Sequence, residues 1–423
     1  MLSGWQRLTA EERAEMADGI VHNNLEGGPW HLEIHPTNRC NVKCFFCINN
    51  GCEAFKNESQ LPWPRLQAFL ERLTAEGLRM LRLSGGGEPL LYSSIRDLLD
   101  LLGQKHVRLV DLNTNGTLLK PFAKTLVELG LDNIAVSLNE VTPQLYARTM
   151  GVSEKLFHHV LNGLEALNEA RDGLPAEDRP NVRLQFFLHK DNWRLIPEMA
   201  ALGQRVAADQ IFIRSIIGPS AGESVLTEDL PEIKSQLREI IQEDNRHPRP
   251  RLLFGLSRES GLDQFVHDEQ RKNRHASAPP MLEFEPRQPR HEYCYMPWYT
   301  ALVTARGTVH PCCIAMDVEL GNILRQPWDE IWNGADFQAL RREFRQLALL
   351  RGDMKYSPRL HCHLRPRCIG RYDCQWTYDL CSPEFYETVF NRLQNETSIL
   401  ERARTAGQDK LLRLYQRLKA FKG

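Results

Sequence analysis

The chain has 423 residues, 42% hydrophobic and 25% charged, and Lys+Arg 53 against Asp+Glu 54 leave a net charge of -1. At roughly 150 residues per domain, this length predicts two or three domains with a substantial core, which excludes an intrinsically disordered chain. The balanced charge offers no basic stripe for nucleic acid, and no apolar run approaches the roughly 20 residues that span a bilayer.

The opening MLSGWQRLTAEERAEM carries acidic residues and no secretion core, so a soluble, cytoplasmic protein is expected. In that reducing compartment the 11 cysteines stay free for metals or chemistry. Thr9 and Glu12 are spaced as a capping box and predict a helical N-terminal segment over residues 1–30. Short apolar or β-branched runs then predict strands at residues 31–37, 79–85, 107–113, 133–139, 183–190 and 210–217. Amphipathic stretches from Pro64, Ser94 and Ser153 predict helices between them. This alternation is the pattern of right-handed βαβ units around a parallel sheet, open or partly closed as a barrel, over residues 31–220. Residues 221–292 read as a helix followed by a charged, Pro-rich linker. A cysteine-rich domain is expected over 293–385, and C-terminal helices over 386–423, with an amphipathic one from Ser398 to Phe421.

Cys40, Cys44, Cys47 and Cys52 fall early; Cys294, Cys312, Cys313, Cys362, Cys368, Cys374 and Cys381 fall late, which implies two centres. Cys40-Asn-Val-Lys-Cys44-Phe-Phe-Cys47 directly follows the first strand, at the end where parallel sheets bind ligands. Soft thiolates select zinc, copper(I) or iron–sulfur clusters. Structural zinc wants four ligands, which Cys52 or His35 would have to complete; three thiols suit a cubane with one open iron.

The segment resembles the CxxxCxΦC motif of radical S-adenosylmethionine (radical SAM) enzymes, with Phe46 at the aromatic position. The strand ends match that family in order: Gly85-Gly86-Gly87-Glu88 resembles the GGE motif that orients the methionine amino group, Asn115 lies in a TNG strand end, Ser137 ends the fourth strand and Arg214 lies on the sixth. The resemblance covers about residues 31–217. It implies a partial (β/α)6 TIM-like barrel, S-adenosylmethionine (SAM) and a 4Fe-4S cluster on Cys40, Cys44 and Cys47. It also implies cofactor contacts from Phe46, Gly85, Gly86, Gly87, Glu88, Asn115, Ser137 and Arg214.

Cys294, Gly307 and Cys312 are spaced as a hairpin with its turn at Arg306-Gly307, followed by Gly321-Asn322-Ile323 and a helix through DEIWNGADFQALRREF. With Cys362, Cys368, Cys374 and Cys381 this resembles the SPASM or twitch extension of radical SAM enzymes, an α+β domain that holds auxiliary 4Fe-4S clusters. The run departs from the full pattern, because Arg365 and Tyr378 occupy two of its cysteine positions. One or two auxiliary clusters are implied, with a structural zinc ribbon as the alternative.

The resemblance implies a 5'-deoxyadenosyl radical that abstracts hydrogen from an unactivated carbon, and a reductant such as flavodoxin or ferredoxin. Auxiliary clusters suit oxidation or cross-linking of a ribosomally made peptide or protein; the alternative is a dehydrogenase or epimerase of a sugar, aminocyclitol or amino acid. Only 39 residues precede Cys40, too few for a leader-recognition domain. An epimerase needs a hydrogen donor, for which Cys313 and Cys52 are surplus to the clusters, and His35 and His189 are candidate bases at strand ends.

Overall fold

The computed structural model describes residues 9–23, 27–47, 58–176, 178–216, 225–244, 250–256, 260–272, 295–313, 315–316, 318–349, 388–389 and 391–393. Cys52, Cys294, Cys362, Cys368, Cys374, Cys381 and the helix expected from Ser398 to Phe421 lie outside these residues.

Helix α1 (Ala10–His22) opens on the expected box: the Glu12 N–H donates to Thr9 Oγ1 at 3.1 Å, and the Thr9 N–H donates to the Glu12 carboxylate at 2.7 Å. Strands and helices then alternate as β1 (His31–Ile34), α2 (Trp63–Ala75), β2 (Met80–Leu83), α3 (Ile95–Lys105), β3 (Arg108–Thr114), α4 (Ala123–Glu128) and β4 (Asn133–Ser137). The series continues with α5 (Pro143–Met150), α6 (Lys155–Arg171), β5 (Asn181–Leu188), α7 (Ile196–Arg205), β6 (Gln210–Ser215), α8 (Leu230–Asp244), β7 (Arg251–Gly255) and α9 (Leu262–Lys272). It ends with α10 (Met296–Tyr299), β8 (Thr300–Val303), β9 (Thr308–His310), β10 (Gly321–Asn322), α11 (Trp328–Trp332) and α12 (Ala335–Leu349). Among the described residues, no helix is long and apolar enough to cross a membrane.

β1 to β7 pair in chain order, all parallel, as βαβ units dictate. The period of two divides each strand between faces. Leu32, Ile34, Leu81, Leu83, Ile134, Val136, Leu184, Ile211 and Ile213 are essentially fully buried, as are the helix residues Leu66, Leu98, Leu126, Val160 and Leu164 in the same core. Each such side chain contributes about 1.5–3 kcal/mol. The other face is polar: Glu33, Arg82, Asp111, Arg183, Gln185 and Arg214. Val110 is an extra residue between Leu109, which pairs with Leu81, and Asp111, which pairs with Arg82; the bulge turns Asp111 back to the polar face.

Three expectations change. The sheet has seven strands in its parallel series rather than six, because the segment expected as helix and linker contains α8, β7 and α9. RLLFG is too short to alternate and directly follows Pro248 and Pro250, so its pairing comes from β6 rather than from local pattern. The expected hairpin forms, β8 antiparallel to β9, but β8 also pairs parallel with β1, His31 to Thr300 through Ile34 to Val303. The hairpin therefore extends the barrel sheet in the order β10-β9-β8-β1. The helix expected through DEIWNGADFQALRREF is two helices, parted at Asn333-Gly334; a Cβ on Gly334 would lie 2.0 Å from the Glu330 carbonyl oxygen. Buried Arg341 of α12 ties the two sides together, donating to the Pro297 and Trp332 carbonyls at 2.9 and 2.8 Å.

Gly307 turns the hairpin at φ +78, and a Cβ there would lie 2.5 Å from Leu324 Cγ and 2.7 Å from Asn322 Oδ1. Gly307→Ala is therefore expected to cost about 1–3 kcal/mol of stability, measured by chemical denaturation.

Candidate functional site

The cysteine loop leaves β1 at Ile34 and is fastened at close intervals. The His35 N–H donates to the Val303 carbonyl of β8 at 2.8 Å, Asn38 N–H to the Ser59 carbonyl at 2.8 Å, and Gly87 N–H to the Thr37 carbonyl at 3.2 Å. Glu88 N–H donates to the Arg39 carbonyl at 2.8 Å, beside Cys40. This approach requires glycine at 87, since a Cβ would stand 2.2 Å from that carbonyl oxygen. Cys40 is exposed, while Cys44 and Cys47 are half-buried. Burial pushes the Cys44 thiol up, with Cys47 and Cys40 adding to it, and Cys40 shifts the same way because protein packs around its sulfur although the residue keeps exposed surface. Thiolates so placed call for a bound cation. Among the described residues no three or more His, Cys, Asp or Glu side chains surround a single metal-ion position. A cubane takes each cysteine at a different iron, and the three thiols here lie close enough to raise one another's proton affinity.

Glu88 locks this loop to the next two strands. Its carboxylate accepts from Thr114 Oγ1 at 2.7 Å, the Asn115 N–H at 2.7 Å and the Leu90 N–H at 3.1 Å. Burial raises its carboxyl to about 7, against the pull of those three donors. The Asn115 amide donates to Asn41 Oδ1 at 2.8 Å and reaches Cys40 Sγ at 3.9 Å, and its oxygen accepts from the Thr117 N–H and hydroxyl. Glu88 and Asn115 are expected at the cofactor; within the protein both also hold the loop. Gly85 and Gly86 stand half-buried beside them.

On the far side, the last turn of α5 grips the loop. Lys43 and Phe45 N–H groups donate to the Met150 and Thr149 carbonyls at 2.7 and 3.3 Å, and Cys44 Sγ lies 3.5 Å from Met150 Sδ. Phe46 is buried, with its ring 4.9 Å from that of Phe187 on β5. Arg214 on β6 lies over Phe187 at 5.3 Å and Phe212 at 4.9 Å, so the aromatic position of the motif and the sixth-strand arginine are joined through one ring. Ser137 ends β4, half-buried on the polar face.

The histidines proposed as bases are not open to a pocket. His35 is 6% exposed with Nε2 3.0 Å from Glu33 Oε1, and His189 is 1% exposed with Nε2 2.7 Å from Glu140 Oε1. Arg82 stands between Glu33 and Asp111, at 3.8 and 3.7 Å. Burial works to raise the Glu33 carboxyl, but the Arg82 charge and the His35 hydrogen bond outweigh it and hold it at about 2. Burial raises Asp111 instead, despite Arg82 and Arg183.

In the hairpin, Thr300 Oγ1 lies 3.2 Å from the Met296 carbonyl and 3.1 Å from the Pro311 carbonyl. One hydroxyl thus draws together the segment after Cys294 and the residue before Cys312. Cys312 and Cys313 are both half-buried. Sequence reasoning missed Asn41, Thr114, Thr117, Glu140, Thr149 and Met150. The first three lie in or beside quoted motifs, where polar loop residues were a usable signal; the others carry none.

Family models match at two places: residues 34–175 fit the radical SAM superfamily, and residues 294–363 fit the SPASM iron–sulfur cluster-binding domain. Among curated proteins, a probable GTP 3',8-cyclase of Sulfolobus acidocaldarius is 28% identical over 229 residues, 53% of this chain and 69% of that protein. One from Methanosarcina mazei is 36% identical over 145 residues, 33% of this chain and only 42% of its own length. Streptococcus suis SuiB bound to S-adenosylmethionine resembles the fold with TM-score 0.51 at 19% identity, over 78% of this chain and 72% of SuiB. Native anSMEcpe with bound AdoMet and the Kp18Cys peptide does so with TM-score 0.52 at 18% identity, over 87% of this chain and 99% of that one.

The Glu88 carboxyl binds its proton more tightly folded than unfolded, so between about 4.5 and about 7 the folded chain holds the extra proton. Its contribution to stability is therefore greatest at low pH and declines as pH rises through that window. Chemical denaturation of the iron-free chain and of Glu88→Gln across pH 4.5–7 is expected to show the wild type losing stability relative to the variant as pH rises.

Proposed function

This chain belongs to the radical SAM superfamily and carries a SPASM domain, and on that footing we propose that it oxidises or cross-links a peptide or protein substrate by hydrogen abstraction. The two domains imply SAM and 4Fe-4S clusters as cofactors. The observation that carries the reading is the cysteine loop, fixed by Glu88 and Asn115 at one side and by α5 at the other, above a polar sheet face. Cys40, Cys44 and Cys47 would hold the first cluster, leaving one iron open. When bound, this cluster and SAM supply a 5'-deoxyadenosyl radical able to take hydrogen from an unactivated carbon.

This chain's own residues would orient and enclose. Gly85, Gly86 and Gly87 bring backbone groups close to the methionine end, Glu88 and Asn115 hold the turn that faces it, and Ser137 and Arg214 offer a hydroxyl and a guanidinium from β4 and β6. Phe46, packed on Phe187, walls one side against water. Cys312, held by the hairpin beside β1, would serve an auxiliary cluster with cysteines outside the described residues. Such a centre suits an outcome in which the substrate gives up an electron, and a flavodoxin or ferredoxin would supply the reducing equivalent that starts the cycle.

Peptide substrates are favoured by the SPASM domain and by a fold shared with SuiB, a structure of which carries the precursor peptide SuiA. A second reading, a small polar molecule, draws on the GTP 3',8-cyclase relatives and on the charged lining of Glu33, Arg82, Asp111 and Arg183. Cys313 belongs to that reading as a hydrogen donor for an epimerase, where Cys313→Ala would stop product formation.

The anaerobically reconstituted, reduced chain is expected to convert SAM to 5'-deoxyadenosine, and Cys44→Ala to lower that by at least about a thousand-fold. Cys312→Ser is expected to keep 5'-deoxyadenosine formation and lose modified product. Mass spectrometry of short peptides encoded beside the gene, with GTP in parallel, distinguishes the substrates: loss of hydrogen from a peptide supports the first reading, and turnover of GTP alone the second.

A further inference from the structure

Glu140 and His189 have no assigned role, yet they stand behind the Cys44 side of the loop. Glu140 follows β4 with no exposed surface, and His189 follows β5. The Asp191 N–H donates to His189 Nδ1 at 3.2 Å, which leaves the ring proton on Nε2, aimed at Glu140 Oε1 2.7 Å away. Thr149 Oγ1 donates to the same oxygen at 2.7 Å, and Asn192 Nδ2 lies 3.4 Å from it. All the donors converge on Oε1, while Oε2 is buried with no hydrogen-bond partner. Among the described residues only His189 stands within ion-pair distance of this carboxylate.

For folding alone this is a poor bargain, because an apolar side chain would avoid the cost of the orphaned oxygen. What the convergent donors gain is a fixed geometry, and it is transmitted to the loop. The Thr149 carbonyl receives the Phe45 N–H, the next carbonyl, that of Met150, receives the Lys43 N–H, and Met150 Sδ touches Cys44 Sγ. The Phe45 ring also stands edge-on to His189 at 5.3 Å. Both residues flanking Cys44 are therefore bonded to the last turn of α5, and that turn is bonded to the ends of β4 and β5.

We infer that Glu140 and His189 are positioning residues for the arm from Cys44 to Phe46, setting that arm against the Cys40 arm held by Glu88 and Asn115. The inference rests on the radical SAM reading above and adds to it where the geometry of the cysteine triad is set. Loss of the brace leaves Cys40 in place and displaces Cys44 and Phe46, so it disturbs the way SAM meets the cluster more than the loading of iron.

The test uses the full chain, anaerobically reconstituted, with Glu140→Ala, Glu140→Gln and Thr149→Val. Iron content, the electron paramagnetic resonance spectrum of the reduced protein with and without SAM, and kcat and KM for 5'-deoxyadenosine formation are measured. Glu140→Ala is expected to keep wild-type iron, lose the SAM-induced spectral change and raise KM for SAM about ten-fold, with a smaller fall in kcat. Thr149→Val, of the same shape, is expected to raise KM about three-fold, and carries the test if Glu140→Ala does not fold. Glu140→Gln keeps the acceptor oxygen and is expected to lie within about two-fold of wild type. A wild-type spectrum and KM in Glu140→Ala and Thr149→Val overturns the inference, as does a Gln variant as impaired as Ala. A wild-type chain with no SAM-responsive 4Fe-4S signal overturns the radical SAM reading and the inference together.

Discussion

A carboxylate taken out of water and satisfied by donors from neighbouring strands is the fixed point of this molecule. A carboxyl group in that position needs hydrogen bonds to replace its lost hydration, and burial still shifts Glu88 toward its protonated form. Glu88 meets the condition with Thr114 and Asn115 at the end of β3 and Leu90 in its own turn, while its backbone N–H reaches the Arg39 carbonyl. The ends of β2 and β3 and the start of the cysteine loop are thereby made into one unit. Each of those segments on its own is a turn with several conformations. Joined through a single side chain, they have one, and the thiol of Cys40 inherits it.

The sheet below has two opposed faces, and they answer different demands. The helix-covered face is continuous Leu, Ile and Val, and it supplies the stability. The other face holds Glu33, Arg82, Asp111 and Arg183, charged groups that contribute little to folding when buried in pairs. Their signs alternate across β1, β2 and β3, with Arg183 beyond the uncharged β4, so that each is partly compensated, and the bulge at Val110 is what keeps Asp111 in the series. Excess apolar burial on one side carries the cost of a polar interior on the other.

How far this could be read from the sequence follows from how local each signal is. Six strands were legible because each is an apolar run closed by glycine or polar residues; β7 was not, because five residues after a proline pair acquire their strand character only from β6. The cysteine triad, the glycine run before Glu88 and the turn at Asn115 are contiguous strings, so they announced themselves. What Glu88 holds was not legible, since its donors at Thr114 and Asn115 lie some 26 residues away and reach it only through the βαβ crossover. Glu140, Thr149 and His189 come from three separate elements and carry no pattern that marks them as a group. A histidine at a strand end points to ligand or to core according to its neighbours, and at His189 the neighbour is a buried carboxylate.

The pairing of β8 with β1 constrains how the molecule can move. Four residue pairs, from His31 with Thr300 to Ile34 with Val303, tie the hairpin that leads to Cys312 to the strand that leads to Cys40. A domain on a flexible tether could swing toward or away from the barrel, and electron passage between two centres would then fluctuate with the swing. A shared ladder forbids that, because separation would require breaking consecutive backbone hydrogen bonds inside a core sheet. The segments that lead to Cys40 and Cys312 are therefore joined through one continuous sheet, which confines motion between them to the loops that follow β1 and β9.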